Sequence, residues 1–303
     1  MSGGWYQVAY EREITGALTP VSLAGRELML VRTERGLSVY DAYCPHRGAD
    51  LRRGGRLCEG AIVCPFHGRR IGLDRPAEDG FFVRGYRTLV VGGLVFVLLS
   101  EAHDHGFARR MEQLDESHFF VPGFTLRLRT RPEHVIENAF DVRHFQQVHG
   151  LDETPVLELV ESRGGELAVL GRFVTSRANP WQDKGRGAPG GIDFLARVYS
   201  PTLCVTELGA GEREYAVLTA ATPVSAEECV LRVSVAAPAG PAGAPPAEEP
   251  IRALLRDSRA AIEQDKAIWE HLARDFPSRY TPEDRILLAF YEFCRRFSRE
   301  ERP

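Results

Sequence analysis

The chain has 303 residues, enough for one or two domains with a sizeable core. Hydrophobic residues make up 44% and charged residues 26%, an ordinary balance for a soluble globular protein. A formal net charge of −4 gives no electrostatic case for nucleic acid or an anionic membrane as partner.

Met1-Ser2-Gly3-Gly4-Trp5 lacks a basic stretch followed by an apolar run, so no signal peptide is expected. From Trp5 to about Ser100 the chain reads as short β-strands with turn punctuation: Trp5 to Ala9, Leu28 to Val31, then Glu34-Arg35-Gly36 as a hairpin turn before Leu37 to Tyr40. The longest apolar run, Leu89 to Leu99, is interrupted by Gly92-Gly93 and is too short to span a bilayer; it reads as two core strands joined by a turn.

Between these strands lie Cys44-Pro45-His46-Arg47-Gly48 and Cys64-Pro65-Phe66-His67-Gly68, with seventeen residues between His46 and Cys64. Each loop offers one thiolate and one imidazole. Such a set binds a Rieske-type Fe–S cluster, with sulfur ligands on one iron and imidazoles on the other. A structural zinc site also accepts two Cys and two His, but zinc modules pair Cys with Cys and His with His along the chain. Gly48 and Gly68 allow a tight turn after each ligand pair. The other cysteines, Cys58, Cys204, Cys229 and Cys294, show no pairing by spacing; free thiols and a cluster both suit a reducing cytoplasm.

Residues Glu101 to Glu116 are charged and carry His103 and His105, and read as a solvated linker. From Phe119 the pattern becomes α+β. Phe124 to Thr130 alternates as a strand, and strands recur at Val156–Val160, Leu167–Val174, Phe194–Tyr199, Leu203–Leu208, Tyr215–Thr222 and Cys229–Val235. Asn179 to Gly191 is rich in Gly, Pro and charge, as a long loop or lid would be. Ala237 to Pro250 reads as a linker, and two helices, about Ile251–Phe276 and Glu283–Phe297, end the chain.

A helix is expected after Pro132, and it would carry Asn138, Asp141, His144 and Phe145 near one face. His149, five residues after His144, is off-phase, so the helix must loosen, bulge or end between them if both bind one metal. Two imidazoles plus one carboxylate form the facial triad that suits non-haem Fe(II). On the Ile251 helix, Ile251, Leu254, Leu255, Ile262, Trp269 and Leu272 make an apolar stripe. Asp265 falls inside that stripe. A carboxylate aimed into a core is costly unless paired or bound to metal, so Asp265 is the expected third ligand.

The segments C-P-H-R-G-A-D-L and C-P-F-H-G resemble the Rieske domain of the Rieske non-haem iron oxygenases, and N-x-x-D-x-x-H-x₄-H at Asn138, Asp141, His144 and His149 resembles their catalytic motif. The segment Gln264 to Trp269 is similar to the late helix of the single-subunit-type members, the alpha oxygenase component. The resemblance implies an N-terminal all-β Rieske [2Fe–2S] domain (1–100), a linker (101–118) and a helix-grip, START-like catalytic domain (119–303), in which an antiparallel sheet wraps a long C-terminal helix. It implies Cys44, His46, Cys64 and His67 as cluster ligands, His144, His149 and Asp265 as ligands of a mononuclear Fe(II), and Asp141 as the bridge to a cluster histidine of the adjacent subunit of a homotrimer. Asn138 belongs to the same motif. The inter-loop disulfide of respiratory-type Rieske domains is not expected, since Ala49 and Phe66 stand at the corresponding positions. Arg69 departs from the Trp usual after C-P-x-H-G.

The implied activity is that of a terminal oxygenase using O₂. Its electrons would come from a separate ferredoxin or NAD(P)H-dependent reductase, as the chain has no G-x-G-x-x-G after a strand. The expected chemistry is hydroxylation or another oxidation of a small, mostly apolar organic substrate, polycyclic or natural-product-like. Demethylation, N-oxygenation or desaturation on the same iron, or service as a Rieske electron carrier or redox sensor, are the alternatives. An aromatic acid is a second substrate class, provided Arg172 or Arg197 points into the pocket.

Overall fold

The computed structural model describes residues 3–151, 153–162, 164–174, 191–209, 215–240, 243–273 and 276–297. The Gly/Pro-rich stretch expected over 179–191 lies, apart from Gly191, outside them. Among the described residues no helix is long and apolar enough to cross a membrane.

The first lobe consists of β1 (Trp5–Tyr10), β2 (Leu18–Leu23), β3 (Arg26–Thr33), β4 (Gly36–Asp41), β5 (Arg56–Cys58), β6 (Ala61–Val63), β7 (Arg70–Leu73), β8 (Phe82–Val83), β9 (Gly85–Val91) and β10 (Leu94–Leu98). They form a six-stranded sheet, β1-β10-β9-β4-β3-β2, and a four-stranded sheet, β5-β6-β7-β8. The apolar run at 89–99 is the β9–β10 hairpin, turning at Gly92-Gly93. Every residue of β1 and of β10 is buried. These two strands are covered on both faces, which is why their sequences do not alternate. One face packs Tyr6, Val8, Val95 and Val97 into the lobe's own core. The other presents Trp5, Tyr10, Phe96 and Leu98 to the second lobe.

Helix α1 (Phe107–Asp115) fills that junction, with Phe107, Met111 and Leu114 buried against Trp5, Phe96 and Tyr199. The expectation of a solvated surface over Glu101 to Glu116 is therefore corrected, and so is that of a solvated His103, which is 5% exposed and stacks on Phe297. The polar residues of the segment hide a helix period: positions 107, 111 and 114 share one face. Direct bonds tie the lobes. Tyr10 Oη donates to the Val233 carbonyl (2.8 Å), and Thr222 Oγ1 donates to the Gln7 carbonyl (2.6 Å).

The second lobe is a seven-stranded sheet in the order β11-β17-β16-β15-β14-β13-β12, formed by β11 (His118–Leu128), β12 (Leu157–Val160), β13 (Leu167–Val174), β14 (Gly191–Ser200), β15 (Leu203–Leu208), β16 (Tyr215–Pro223) and β17 (Cys229–Pro238). All its pairings are antiparallel. Among the described residues, four α-helices follow the α1 segment: α2 (Pro132–Ile136), α3 (Val142–Gln147), α4 (Glu248–Trp269) and α5 (Arg285–Arg296). The sheet's inner face packs Val169, Phe194, Val217, Leu231 and Val233 under α4, whose Ile251, Leu254 and Trp269 are buried there. Gly123 permits this approach: a Cβ there would stand 2.3 Å from the Val233 carbonyl oxygen and 2.5 Å from Leu255 Cδ2. The α+β pattern is what the sequence predicts, and a sheet wrapped over a long late helix is what the family resemblance implies.

Candidate metal centres

The two Cys-His loops are built alike. In the first, Cys44 N–H donates to the Ala49 carbonyl (2.8 Å) and Gly48 N–H to the Cys44 carbonyl (2.8 Å). In the second, Cys64 N–H donates to the Arg69 carbonyl (2.9 Å) and Gly68 N–H to the Cys64 carbonyl (3.0 Å). Gly48 and Gly68 sit at φ +70° and +68°, the left-handed region that closes each loop at little cost for glycine. The result is a pair of buried sulfurs under a pair of outward imidazoles. Cys44 and Cys64 are each 2% exposed, whereas His67 is exposed and His46 half-buried. The imidazole centroids lie 5.0 Å apart.

Burial pushes the Cys44 thiol up, while hydrogen bonds from the backbone N–H groups of His46 and Arg47 pull it down and the adjoining Cys64 pushes it up again. Amide donors aimed at a sulfur are what a cluster thiolate needs. His46 is held below the usual imidazole range, first by desolvation and then by the charge of Arg69. Two buried thiols and two imidazoles brought together from mirrored loops fit a [2Fe–2S] group. Arg69, at the family's Trp position, pairs with Asp79 (3.4 Å) and covers the Phe81 ring (5.3 Å to its centroid). Phe81 in turn contacts the His46 ring, centroid to centroid 5.6 Å.

The second constellation is assembled by a broken helix. The expected single helix after Pro132 is instead α2, a 3₁₀ turn at Glu137–Phe140, and α3. Asp141 is extended (φ −95°, ψ 100°) and caps α3, accepting from the N–H groups of Arg143 (3.1 Å) and His144 (3.4 Å). The helical-face argument linking Asn138, Asp141 and Phe145 therefore does not hold, because an N-cap residue interrupts the helix between them. Phe140 stacked on Phe290 (5.2 Å, 22°) and Tyr291 Oη donating to Glu137 (2.8 Å) pin the 3₁₀ turn to α5. Burial raises the Glu137 carboxyl to about 7.

Helix α3 ends at Gln147, and Gly150 (φ +65°) turns the chain. The helix thus stops between the two histidines, one of the three ways of reconciling their spacing. His144, His149 and Asp265 converge, with one ligand atom from each lying within 4.8 Å of the others. His149 Nε2 stands 3.5 Å from Asp265 Oδ1. The histidines are held by their other nitrogens: His144 Nδ1 to the Asp141 carbonyl (2.8 Å) and His149 Nδ1 to Gln264 Oε1 (3.1 Å). A carbonyl or amide oxygen takes an N–H, so both rings keep Nε2 as the bare, metal-facing nitrogen.

His144 Nε2 is buried and has no hydrogen-bond partner. Desolvation holds both imidazoles below their ordinary range, and it raises the 6%-exposed Asp265 to about 7 against the pull of a hydrogen bond to Asn138. An orphaned buried nitrogen and a carboxylate unhappy with its charge are the marks of a cation site. The N₂O donor set fits Fe(II) and leaves positions open.

These residues open onto a cavity of about 170 Å³. Phe145, Phe173 and Phe194 form one wall, with Phe173 and Phe194 stacked at 4.2 Å and Phe145 against Phe173 at 5.0 Å. Asn138 lines the same space. Arg172 and Arg197 do not. Arg172 pairs with Asp193 (2.9 Å) in solvent, and Arg197 shares Glu207 with Arg110 (each 2.6 Å) on the face away from α4. On β14 the inward positions are Phe194, Ala196 and Val198, so strand alternation turns Arg197 outward. The condition attached to an aromatic-acid substrate is therefore not met. Sequence reasoning missed Gln264, although its place beside the inward-facing Asp265 was a usable signal.

Comparison with known proteins adds the relationships. Residues 4–78 match the family model described as Rieske [2Fe-2S] domain, and residues 101–292 match that of the 3-Ketosteroid 9alpha-hydroxylase C-terminal domain. The chain is 24% identical over 210 residues to cholesterol 7-desaturase nvd of Drosophila melanogaster, covering 64% of this chain and 47% of that protein. It is 24% identical over 203 residues to the vanillate O-demethylase oxygenase subunit of Pseudomonas sp. (strain HR199 / DSM 7063), covering 60% and 56%. The chain thus spans about half the length of these curated relatives. Among solved structures, dicamba monooxygenase with non-heme iron and dicamba superposes with a TM-score of 0.72 at 17% identity, covering 97% of this chain and 96% of that one. Pseudomonas putida CBB5 NdmB gives 0.71 at 19% identity, covering 95% and 88%. At such identities the likeness is one of fold.

Proposed function

Because the chain belongs to the Rieske non-haem iron oxygenase family, we propose that it is a terminal oxygenase component that oxidises a small, mostly apolar organic molecule with O₂. The observation that carries this is the meeting of His144, His149 and Asp265 at the mouth of a largely apolar cavity. Iron at that site supplies the activation of O₂, and a [2Fe–2S] group held by Cys44, Cys64, His46 and His67 supplies electrons singly.

The chain's own residues do the rest. His144 and His149 present Nε2 because their Nδ1 atoms are engaged, and Asp265 supplies the anionic oxygen on the third side. Asn138 bonds Asp265 and orients its carboxylate. The Phe145–Phe173–Phe194 wall excludes water and receives apolar carbon. Asp141 spends one oxygen on capping α3 and remains half-buried. Its other oxygen is the acceptor for an imidazole N–H of a second copy's cluster loop. The outward placement of His46 and His67 supports that geometry, and with it a homotrimer in which each cluster serves a neighbour's iron. A separate ferredoxin or NAD(P)H-dependent reductase feeds the cluster, in the cytoplasm.

The test is Asp141→Asn. Asparagine is as good an N-cap as aspartate, so α3 and the position of His144 are retained while the charge is lost. The variant should hold the full iron complement, two in the cluster and one beyond it, and give no coupled turnover with an aromatic or alicyclic substrate panel read by mass shift. Wild-type coupled turnover in that variant refutes the bridge. Only two irons per wild-type chain refutes the oxygenase in favour of an electron carrier.

A further inference from the structure

The ligand loops of the first lobe present a large apolar side chain to solvent. Phe66, between Cys64 and His67, is 58% exposed, and its ring centroid lies 3.8 Å from that of His67. Of the two imidazoles His67 is the exposed one, whereas His46 is half-buried against Phe81. Arg47 of the other loop lies over the Phe66 ring, 5.7 Å from its centroid. Arg53 and Arg56, both exposed, extend the basic character along the chain between the loops. A phenylalanine held in water on a rigid loop, ringed by arginines, has the composition of an interface anchor.

The second lobe carries a hollow of matching character. It has a volume of about 380 Å³ and starts one residue past Asp141, with Val142, Pro155, Val156, Leu157 and Ile286 as its apolar lining. Val156 is 76% exposed, unusual for a valine. Arg143 and Glu283 pair beside it (2.7 Å). Residues 153–161, which run past the hollow into β12, hold three glutamates, Glu153, Glu158 and Glu161, all exposed, and no arginine or lysine. The loop face is basic and the ground around the hollow is acidic, the complementarity that steers and orients an encounter. Position agrees with charge. The Phe66 and His67 rings touch, and Asp141 and Val142 are adjacent, so an imidazole that reaches Asp141 of a second copy brings Phe66 over that copy's hollow.

We propose that Phe66 is the anchor by which one copy of this chain docks on the next: its ring enters the Val142–Val156–Ile286 hollow of a second copy, with Arg47 and Arg53 facing the glutamates around it. Knob and hollow lie on different lobes, so the contact is head-to-tail and repeats until it closes a ring. The inference deepens the reading of Asp141 as a bridge and rests on it, by naming the side chain that seats His67 there.

The experiment uses the full chain with both metal centres loaded, and reads self-association by sedimentation velocity over a range of concentrations. The wild type should associate, and do so more weakly as NaCl rises from about 0.05 to 0.5 M. Phe66→Ala should weaken association roughly tenfold or more while the paramagnetic spectrum of the cluster stays that of the wild type. Val156→Trp, which fills the hollow, should weaken it to a similar degree. Phe276→Ala, which removes an even more exposed phenylalanine, should leave it unchanged. Equimolar mixing of the Phe66→Ala and Val156→Trp proteins should yield a species of two chains, because one intact knob then meets one intact hollow. A monomeric wild type, association that salt strengthens, wild-type association in Phe66→Ala or in Val156→Trp, an equal loss in Phe276→Ala, or no mixed species each overturns the proposal. Failure of the oxygenase reading shows separately, as an iron count short of three per chain in a protein that still associates through Phe66.

Discussion

Asp265→Asn separates a metal ligand from a structural acid, because the two roles predict opposite signs for stability. In protein freed of mononuclear iron, burial holds the Asp265 carboxyl at about 7 where its ordinary value is 3.8. The folded state then binds that proton more tightly than the unfolded state does. Below about pH 4 both states are protonated and the group costs nothing; as pH rises through 7 the folded state must carry a desolvated charge, and stability falls. At 1.36 kcal/mol per pKa unit, the loss on the alkaline side is roughly 4 kcal/mol. Asparagine has the same shape and carries no charge. The variant should therefore be more stable than the wild type at pH 8 by roughly 2–4 kcal/mol, and equal to it near pH 4. For a chain of this size that raises the melting temperature by roughly 5–10 °C. Ferrous iron should reverse the ranking, since only the wild type gains binding energy from it. The assay is thermal unfolding of cluster-loaded, chelator-treated protein at pH 4 and pH 8, with and without Fe(II). An Asn variant that is less stable at pH 8 and still takes up the third iron would sink the assignment.

Other expectations follow from the same geometry. Fe(II) affinity at the mononuclear site should fall about tenfold per pH unit below 7, because a proton competes for Asp265, and titration with a ferrous chelator as competitor reads it. His149→Ala should lower the iron count by one per chain and leave the visible and paramagnetic spectra of the cluster unchanged. Cys44→Ser should remove the cluster's two irons and its spectrum while the mononuclear site still fills. Arg69→Gln and Asp79→Asn should move the cluster's midpoint potential in opposite directions, down and up, by at most about 60 mV, a tenfold change for a one-electron couple. Both partners of that pair are more than a third exposed, so solvent screens part of the effect. Equal potentials in both variants would mean that the pair only packs Phe81.

The candidate metal-binding residues were legible because each combines a costly residue type with a regular spacing. A thiol and an imidazole repeated on two loops, and an acid in the apolar stripe of a helix, are hard to explain as packing. What escaped was context that arises only in three dimensions. Asp141 reads as a helix-face residue by periodicity, yet it restarts a helix as its N-cap. The charged residues of 101–118 masked Phe107, Met111 and Leu114, whose burial needs two lobes to supply it. Arg197 and Thr206 have similar strand surroundings in the sequence. Only the register of β14 and β15 turns the first out and the second in.

That register also bears on why the site sits where it does. A sheet wrapped on a helix leaves a gap wherever inward side chains are small, and Ala196 and Thr206 face each other there. Helix α4 crosses above the gap with Asp265, while the loop leaving α3 brings His149 to within 3.5 Å of that carboxylate. The two histidines come from one short, capped segment, so their mutual placement depends on Asp141 and Gly150 rather than on the sheet. Asp265 comes from the opposite side and depends on the packing of α4. The mononuclear site is therefore closed by tertiary contact alone: loosening α4, for instance by truncating Trp269, should weaken iron binding without touching a ligand, because it removes the one donor that the local chain does not position.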